Sequence, residues 1–264
     1  EGCEVVVSNG VYEIPGKLAP TRVDKPVTVR SLTGRPKDVT IVGDAKTSCR
    51  LMLLNHAKAV LSGVTVDAGS LPRGNDRYRT PVYIDVGGGQ VTNCVIQNGF
   101  QQSWGNWQSS AVFMGAEGAL VTHCVISNNT GSGVSVTGRG YCGPIFDNTL
   151  VVRNGSHGLW LYDYRANGAG GDAYLAYCTI ADNAILAAGV ANPYQLYYEA
   201  NAKVRNTILF GTADGMSDLS NPGAANVANC RFKEATDDSR GNIADDPKFR
   251  SDYRIWRSSP CVDA

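Results

Sequence analysis

The stretch VTNCVIQNG (residues 91–99) recurs along the chain as VTHCVISNN (residues 121–129), with the same order of residue types. Shorter variants of this phrase precede and follow these two copies. We align all copies on seven anchor residues: Val64, Cys94, Cys124, Asn148, Cys178, Asn206 and Cys230. The mean spacing of these anchors is about 28 residues, a period typical of solenoid proteins built from stacked copies of one small unit.

Each repeat unit contains short runs that favour β-strands, separated by Asn and Gly. A run rich in Val and Ile ends in Asn or Asn-Gly, and a second run follows, such as PVYIDV (residues 81–86) or AVFMG (residues 111–115). β-Branched and aromatic residues favour strands, whereas Asn and Gly tolerate the left-handed backbone of a sharp corner. The period is too short for a propeller blade and lacks the leucine-rich consensus. The sequence therefore predicts an all-β fold, a single-domain parallel β-helix of about nine coils.

The composition agrees with one domain and excludes two classes of partner. Lys plus Arg and Asp plus Glu each number 24, so no net charge favours binding to nucleic acid. No apolar run approaches the ~20 residues that a membrane-spanning helix needs. We expect residues 1–264 to form one β-helix domain, with the first coils in residues 1–60, regular coils in residues 61–232 and a closing segment in residues 233–264.

Residues that recur at one position of the repeat should form ladders along the solenoid. Cys94, Cys124 and Cys178 are expected to be small buried side chains that stack on one another. A disulfide between Cys94 and Cys124 is the alternative. A second ladder, made of side-chain amides that cap the turns, is predicted for Asn98, Asn128, Asn154 and Asn183.

The repeat pattern (C/N)-(V/T)-(I/L)-x-N-x-x-G-(V/L) resembles the right-handed parallel β-helix family of secreted bacterial proteins, which includes pectate-lyase-like enzymes and many surface proteins. The C-terminal stretch GNIADDPKFRSDYRIWRSSPCVDA (residues 241–264) is similar to the closing segment of such helices in surface-anchored bacterial proteins. The matching residues are Asn242, Asp246, Pro247, Phe249, Asp252, Tyr253, Ser259, Pro260, Cys261, Asp263 and Ala264. The resemblance implies a right-handed coil and a secreted or bacterial cell-surface location, but no single activity.

The start of the chain departs from that family. Its members usually begin with an amphipathic helix that caps the first coil, whereas this chain opens directly into strand-like residues 5–14. An uncovered end of a solenoid exposes strand edges that can pair with another chain. We therefore expect self-association through the N-terminal coil.

Alternation along the second run of each unit predicts an outward stripe of aromatic side chains. In residues 81–86, alternation turns Val82, Ile84 and Val86 inward, and it turns Tyr83 and Asp85 outward. The equivalent outward residues of later coils are Phe113, Trp160, Tyr162 and Tyr197. Such a stripe is a candidate ligand surface; the alternative is that it only covers the sheet or packs under loops.

Insertions beside this stripe add aromatic and basic side chains. Two insertions precede it, at residues 70–80 and 100–110, and a third protrusion spans residues 162–174. The residues that they bring are Arg73, Arg77, Arg79, Trp104, Trp107, Asp163 and Arg165. Because Trp faces suit sugar rings and Arg forks pair with carboxylates, we predict a groove for a polysaccharide or cell-surface glycan. The alternative is a set of decorated surface loops.

If the protein resembles the polysaccharide lyases of this family in activity, an Arg or Lys base would remove a proton from a uronate. The catalytic candidates are Arg77, Arg79, Asp85 and His157, and the substrate-binding candidates are Arg73, Tyr83, Trp104, Trp107, Phe113, Trp160, Tyr162, Asp163 and Arg165. A lyase would also need a cluster of acids on adjacent coils, which the sequence does not show. A glycoside hydrolase would need paired carboxylates, but Asp85 and Asp163 should lie three coils apart, roughly 14 Å, beyond the range for such a pair. Neither mechanism is therefore supported residue by residue.

The sequence predicts no cofactor and no metal site. The acidic stretch DDSRGNIADD (residues 237–246) could nevertheless bind Ca²⁺, and the alternative is that it is a solvated closing loop. Two functions remain in competition. The first is an extracellular protein that binds a polysaccharide along the aromatic stripe and that, if it is an enzyme, also cleaves it. The second is a surface adhesin or spacer module without chemistry. The closing segment favours the second function, and the Trp and Arg loops favour the first.

Overall fold

The computed structural model describes residues 2–15, 20–43, 50–69, 80–99, 110–115, 118–137, 145–162, 173–183, 194–198, 202–212, 217–220, 226–235 and 240–262. In these ranges the strands form three parallel sheets of nine, eight and eight strands. Within the same ranges, no helix has the length and apolar character that crossing a membrane requires.

The strands are named in chain order and fall into the three sheets in strict rotation. Sheet 1 contains β1 (Cys3–Val7), β4 (Val27–Ser31), β7 (Val60–Ser62), β10 (Gln90–Thr92), β13 (Leu120–Thr122), β16 (Ile145–Asp147), β19 (Ala173–Ala176), β22 (Ala202–Arg205) and β25 (Asn226–Ala228). Sheet 2 contains β2 (Gly10–Ile14), β5 (Val39–Gly43), β8 (Thr65–Asp67), β11 (Val95–Gln97), β14 (Val125–Ser127), β17 (Leu150–Val152), β20 (Thr179–Ala181) and β23 (Ile208–Phe210). Sheet 3 contains β3 (Thr21–Val23), β6 (Arg50–Leu54), β9 (Thr80–Ile84), β12 (Ser110–Met114), β15 (Ser132–Thr137), β18 (Leu159–Tyr162), β21 (Tyr194–Tyr198) and β24 (Ser217–Leu219).

Each strand pairs in parallel with the equivalent strand of the next coil, so the chain winds as a parallel β-helix. In sheet 1, for example, β10 pairs with β7 on one side and with β13 on the other. A 3₁₀ turn at Pro36–Asp38 precedes β5. The all-β solenoid predicted from the repeat is confirmed.

The core consists of like side chains stacked along the helix axis. Leu61, Val91 and Val121 occupy one register position in sheet 1, and all three are fully buried. Ile96 and Ile126 repeat the arrangement in sheet 2. No single coil can bury these side chains alone, so the stacking of coils supplies the hydrophobic stabilisation.

The first corner, between sheets 1 and 2, combines a positive-φ residue with a small buried side chain. The positive-φ residues are Gly63, Asn93, His123, Asn148, Tyr177, Asn206 and Asn229. The buried residues that follow them are Val64, Cys94, Cys124, Thr149, Cys178, Thr207 and Cys230. The anchors Asn148 and Asn206 were therefore aligned one residue too early, because Thr149 and Thr207 occupy the Cys position.

Thr can replace Cys at this corner because the two side chains make the same hydrogen bond. The Sγ–H of Cys124 donates to the carbonyl of Thr122 at 3.2 Å, and the Oγ1–H of Thr149 donates to the carbonyl of Asp147 at 2.9 Å. The predicted ladder of buried Cys is thus present but interrupted by Thr. Cys94 and Cys124 are free thiols, so the disulfide alternative is wrong.

The second corner, between sheets 2 and 3, carries a ladder of buried amides. The Nδ2 of Asn129 donates to the Oδ1 of Asn154 at 2.8 Å, and the Nδ2 of Asn154 donates to the Oδ1 of Asn183, also at 2.8 Å. The Nδ2 of Asn183 then donates to the Oε1 of Gln195 at 2.7 Å. Each amide also accepts a hydrogen bond from a backbone N–H at the corner of the preceding coil, as when Asn154 accepts from the N–H of Asn129.

The predicted amide ladder was right for Asn154 and Asn183 and wrong for Asn98 and Asn128. Asn98 and Asn128 have φ of 60° and 57° and supply the left-handed turn that precedes the ladder position. The ladder residue is therefore the next one, Asn129, and in the coil of Asn98 it is Gly99. In a run of two Asn residues the sequence pattern does not say which one turns the chain and which one faces inward.

Candidate functional site

Sheet 3 presents one column of outward side chains that runs along the helix axis. Parallel pairing places Tyr83 beside Phe113, Phe113 beside Ser135, Ser135 beside Trp160, and Trp160 beside Tyr197. We call these five residues the aromatic face. They alternate along their strands with core residues, and the structure brings together the predicted Tyr83, Phe113 and Trp160.

The first part of the aromatic face is a stack of three planar groups. The rings of Tyr83 and Phe113 lie 4.7 Å apart at an interplanar angle of 12°. The guanidinium carbon of Arg50 lies 3.7 Å from the centroid of the Tyr83 ring. Phe113 is only 3% exposed, whereas Tyr83 and Arg50 are half-buried, so the accessible part of the stack lies at Tyr83 and Arg50.

Arg50 is a site residue that the sequence did not reveal. It stands at the start of β6, and the parallel register pairs it with Thr80, three residues before Tyr83. A signal was available, since one Arg precedes the apolar run LMLL (residues 51–54) that aligns with residues 81–84. Its placement over a ring in the next coil depends on the register between β6 and β9.

The second part of the aromatic face is a cluster around His157. The His157 ring lies 5.4 Å from the rings of both Trp160 and Tyr197, and Trp160 meets Tyr197 edge-on at 5.9 Å. The ring of Tyr194 stacks on His157 at 6.1 Å and 10°. Trp160, Tyr194 and Tyr197 are half-buried, so this cluster also presents aromatic surface to solvent.

His157 is held as a neutral, buried ring. Its Nδ1 accepts a hydrogen bond from the backbone N–H of Tyr194 at 3.1 Å, which leaves the ring proton on Nε2. Burial lowers the pKa of His157 to about 4, because desolvation disfavours the charged ring. At neutral pH the side chain is therefore an uncharged ring whose Nδ1 accepts the N–H of Tyr194, and no imidazolium is available there as a general acid.

Ser135 separates the two aromatic clusters. Its side chain is 2% exposed, and in the described structure its hydroxyl has no hydrogen-bond partner. Its neighbours Phe113 and Trp160 lie two rungs apart, about 9.6 Å by the spacing of parallel strands. The small, buried Ser135 side chain therefore interrupts the column of rings between Phe113 and Trp160.

Asp85 follows this face but is not part of it. The strand β9 ends at Ile84, and residues 85–88 form a turn in which the N–H of Gly88 donates to the carbonyl of Asp85 at 2.8 Å. The Oδ1 of Asp85 accepts the N–H of Val86 at 2.9 Å. Val86 is 62% exposed, so the prediction that it points inward was wrong, because alternation stops where the turn begins.

Seven of the predicted site residues lie outside the described residues: Arg73, Arg77, Arg79, Trp104, Trp107, Asp163 and Arg165. Tyr162 ends β18, where only its backbone is described. Among the described residues, no group of three or more His, Cys, Asp or Glu side chains is arranged to hold a metal ion. In the acidic closing stretch, the carboxylate of Asp246 instead accepts the N–H of Lys248 at 2.8 Å.

A separate cavity of about 410 Å³ lies between the first corner of the last coils and the closing segment. It is lined in part by Cys178, Cys230 and Ile255. Its one charged lining residue, Arg231, is bound to Asp218 and to backbone carbonyls. The described lining therefore offers this cavity no unpaired charge, and the aromatic face remains the stronger candidate site.

Comparison with solved structures finds similarities at low sequence identity. The crystal structure of pectate lyase Pel9A superposes with a TM-score of 0.51 at 12% identity, over 97% of this chain and 81% of that chain. The pectin methylesterase from Aspergillus niger gives a TM-score of 0.47 at 14% identity, over 93% of this chain and 82% of that chain. At such identities the likeness concerns the fold alone.

The family comparison is more decisive than these superpositions. No curated protein sequence matches the chain significantly. Residues 53–235 match the family described as the right-handed beta helix region. This match spans more than half of the chain and coincides with the three-sheet coil seen in the structure, so the protein belongs to the right-handed β-helix family.

Proposed function

We propose that this protein binds a polysaccharide along the aromatic face of sheet 3. The observation that carries the proposal is the in-register column of Tyr83, Phe113, Trp160 and Tyr197 on one outward sheet face. Tyr and Trp combine a flat apolar body with a polar tip, which suits a sugar ring with its C–H face and surrounding hydroxyls.

The dimensions of the face favour a polymer over a single sugar. From Tyr83 to Tyr197 the column crosses four rungs, about 19 Å at the spacing of parallel strands. Half-buried rings at both ends, on Tyr83 and on Trp160 with Tyr197, give two contact areas on one line. A chain of several sugar units can reach both, whereas a monosaccharide can occupy only one.

Cleavage of the bound polysaccharide is a further step of the proposal. A lyase mechanism needs a base, for which Arg77 and Arg79 are the candidates, with Asp85 as an orienting group. Among the described residues, Asp85 is the acid that follows the aromatic face, and His157 is buried and neutral. These features favour binding over hydrolysis, and they leave a non-catalytic adhesin or spacer as the competing function.

We place this activity outside the cytoplasm, on a secreted protein or at a bacterial cell surface. The support is the closing segment, whose matching residues take part in ordered contacts. The Oδ1 of Asn242 accepts the N–H of Cys230 at 3.1 Å, and the hydroxyl of Ser259 donates to the carbonyl of Pro247 at 2.6 Å.

The decisive experiment is binding to immobilised polysaccharides, with Trp160→Ala and Tyr83→Ala as the test variants. Loss of an aromatic anchor at the centre of a contact surface typically weakens binding about 30-fold, and we expect this for Trp160→Ala. The matched control is Tyr177→Ala, which removes a 63% exposed tyrosine at the first corner, away from sheet 3. Circular dichroism checks the fold of each variant.

The same samples test cleavage. A fall in the viscosity of a bound uronate polymer would establish a lyase. Arg77→Ala and Arg79→Ala should then abolish the loss of viscosity, and they should weaken polysaccharide binding less than Trp160→Ala does. Binding without loss of viscosity would leave a binding protein. If the wild-type protein binds no polysaccharide, the proposal fails and the spacer function takes its place.

A further inference from the structure

The closing segment contains a short antiparallel hairpin with one side on the solenoid and the other in solvent. We call residues 248–256 the closing hairpin. Phe249 and Ile255 face each other in an antiparallel bridge, and the N–H of Arg250 donates to the carbonyl of Arg254 at 2.7 Å. Its half-buried side chains are Phe249, Tyr253 and Ile255, and its exposed aromatic and basic ones are Lys248, Arg250, Arg254 and Trp256.

The half-buried side fixes the closing hairpin against sheet 2 and the second corner. Phe249 packs edge-on against Phe210 of β23 at 5.6 Å. The hydroxyl of Tyr253 donates to the Oδ2 of Asp182 at 2.9 Å, and Ile255 lines the cavity described above. Because these contacts hold the backbone, the exposed side keeps one arrangement, and binding through it costs little ordering of the chain.

Trp256 is the apolar centre of the exposed side, and it is 53% exposed. The guanidinium carbon of Arg250 lies 4.9 Å from the centroid of the Trp256 ring. The N–H of Trp256 donates to the carbonyl of Lys248 at 3.3 Å, so Lys248 lies opposite it across the hairpin. A half-exposed aromatic ring with a cation held over it suits a boundary between an apolar medium and an anionic one.

The closing hairpin and the residue after it carry a local positive charge, although the whole chain has net charge zero. The basic residues of this stretch are Lys248, Arg250, Arg254 and Arg257, and its one acid is Asp252. The Oδ2 of Asp252 lies 3.3 Å from the Nε of Arg254. Among the described residues, no carboxylate forms an ion pair with Lys248, Arg250 or Arg257.

Two more acids precede the hairpin and lower this charge without cancelling it. Asp245 and Asp246 are exposed, and the Oδ1 of Asp246 accepts the backbone N–H of Lys248 at 2.8 Å. Four cations and three acids then lie within residues 245–257. The acids stand at the start of this stretch and at the tip of the hairpin, whereas the three cations that no described carboxylate pairs with flank Trp256. The positive charge is therefore concentrated around the ring.

We propose that the closing hairpin binds the surface of a bilayer that contains anionic lipids, with Trp256 at the level of the headgroups and the three flanking cations on the lipid phosphates. Trp is favoured at membrane interfaces, and basic side chains near an anionic surface add to binding. A soluble anionic polymer would pair with the cations and leave the exposed ring unused, so the combination favours a bilayer. This surface is separate from the aromatic face of sheet 3, and the proposal does not depend on polysaccharide binding.

Sedimentation of the full chain with lipid vesicles tests this proposal. The probe is vesicles of phosphatidylglycerol and phosphatidylcholine in equal parts, and the neutral comparison is vesicles of phosphatidylcholine alone. We expect binding to the anionic vesicles at low salt and binding to the neutral vesicles that is weaker by about tenfold or more. High salt should abolish binding to the anionic vesicles, because it screens exposed charges.

Trp256→Ala is the first test variant, and Arg250→Gln combined with Arg257→Gln is the second. Loss of the ring should weaken binding to anionic vesicles about tenfold, because Trp256 is the apolar anchor of the contact. Loss of the two cations should weaken it about 25-fold, or about fivefold for each charge removed.

The matched controls change the same kinds of residue away from the hairpin. Leu32→Ala removes an apolar side chain that is 60% exposed, and Arg22→Gln combined with Arg35→Gln removes two exposed arginines. The second control lowers the net charge by the same amount as the double test variant, so it separates the local patch from the total charge. Both controls should bind as wild type does, and circular dichroism checks the fold of every variant.

Several results would overturn the proposal. It fails if wild type does not sediment with anionic vesicles, or if it binds both kinds of vesicle equally well. It also fails if Trp256→Ala binds as tightly as wild type, or if the controls lose as much binding as the test variants, since the contact would then lie elsewhere. Retardation of the protein by soluble polyphosphate in affinity electrophoresis, without binding to vesicles, would identify an anionic polymer as the partner instead.

Discussion

Arg231 links the last coil to the closing segment through nearly all its donors. It is 7% exposed, its Nε donates to the carbonyl of Asp245 at 2.8 Å, and its Nη1 donates to the carbonyl of Leu209 and to Asp218, both at 2.7 Å. Its guanidinium carbon lies 4.5 Å from the Phe210 ring centroid. A buried charge is tolerated here because a carboxylate and several carbonyls replace water around it.

Asp218, the partner of Arg231, also faces a second carboxylate. The N–H of Asp218 donates to the Oε1 of Glu234 at 3.0 Å, and in the described structure Oδ1 of Asp218 and Oε2 of Glu234 have no hydrogen-bond partner. Burial raises the pKa of Asp218 to about 6, with a contribution from Glu234 and against the opposing effect of Arg231. A carboxylate with so few donors holds a proton more readily than an exposed one.

The raised pKa of Asp218 predicts a gain in stability on mild acidification. Between its ordinary value of 3.8 and about 6, the folded protein holds a proton on Asp218 that the unfolded chain has released. Lowering the pH from 7 to 4.5 should therefore add about 2 kcal/mol from this group, since folding then takes up a proton. Above pH 6 the carboxyl is ionised in both states and the gain is absent.

The measurement is urea unfolding of wild type and Asp218→Asn at pH 7 and pH 4.5. Other groups also titrate in this range, so the informative quantity is the difference between the two proteins. Asn keeps an oxygen for Arg231 and for the N–H of Lys233 but cannot ionise. A similar acid-induced change in both proteins would contradict the assignment. Asp24→Asn, on an exposed carboxylate, is the control.

At the scale of elements, the amide ladder makes the second corner cooperative. Asn129, Asn154 and Asn183 each donate to the next amide, Asn154 and Asn183 also accept from the preceding one, and all three side chains are buried. Buried polar chains of this kind polarise one another, and removing one member leaves partners unsatisfied on both sides. The ladder therefore links consecutive coils at this corner by side-chain hydrogen bonds.

Asn154→Ala should destabilise the protein by about 2–4 kcal/mol, because it orphans the carbonyl of Ile126 and the amides of Asn129 and Asn183. Asn148→Gly is the control, since it replaces an exposed Asn at a positive-φ position that Gly adopts freely. Its effect should stay within about 1 kcal/mol. Equal shifts of the urea midpoint in the two variants would rule out a special role for the ladder.

Prediction from sequence succeeded for elements and failed at single residues beside corners. The strand positions follow from β-branched runs between Asn and Gly, which are local signals. The predicted positions of Asn128, Asn148 and Val86 were each wrong by one residue. The reason is that a residue with turn geometry at each corner interrupts the alternation of inward and outward side chains. At the candidate site, Tyr83, Phe113 and Trp160 were found by alternation, whereas Arg50 was not.

At the scale of the whole molecule, the two ends of the helix are unlike. The closing segment covers the C-terminal coils, with Phe249 packed edge-on against Phe210 at 5.6 Å and Tyr253 donating to Asp182 at 2.9 Å. At the other end β1 is the edge strand of sheet 1, and the side chains of Val5 and Val11 are 50% and 71% exposed. An open edge with apolar side chains favours pairing with another chain.

We therefore expect the 264-residue chain to self-associate through its first coil. Val5 pairs with Val29, which packs against the core, so a charge at Val5 should oppose association. Light scattering after size exclusion should show a mass that rises with concentration for wild type and a monomer for Val5→Lys. Ile145→Lys, at a 41% exposed site farther along sheet 1, is the control and should behave as wild type. A wild type that stays monomeric at all concentrations would falsify this expectation.

By itself the sequence determined the coil period, the presence of short strands in each coil and the ladder of small buried side chains, because stacked coils require the same residue type at the same place in every repeat. The tertiary structure alone decided which Asn turns and which faces inward, that His157 is buried and neutral, and that Arg50 lies on Tyr83. These features depend on the register between coils and on which residue turns the chain at each corner. Both are set by packing across the repeat, which a single coil's sequence does not contain.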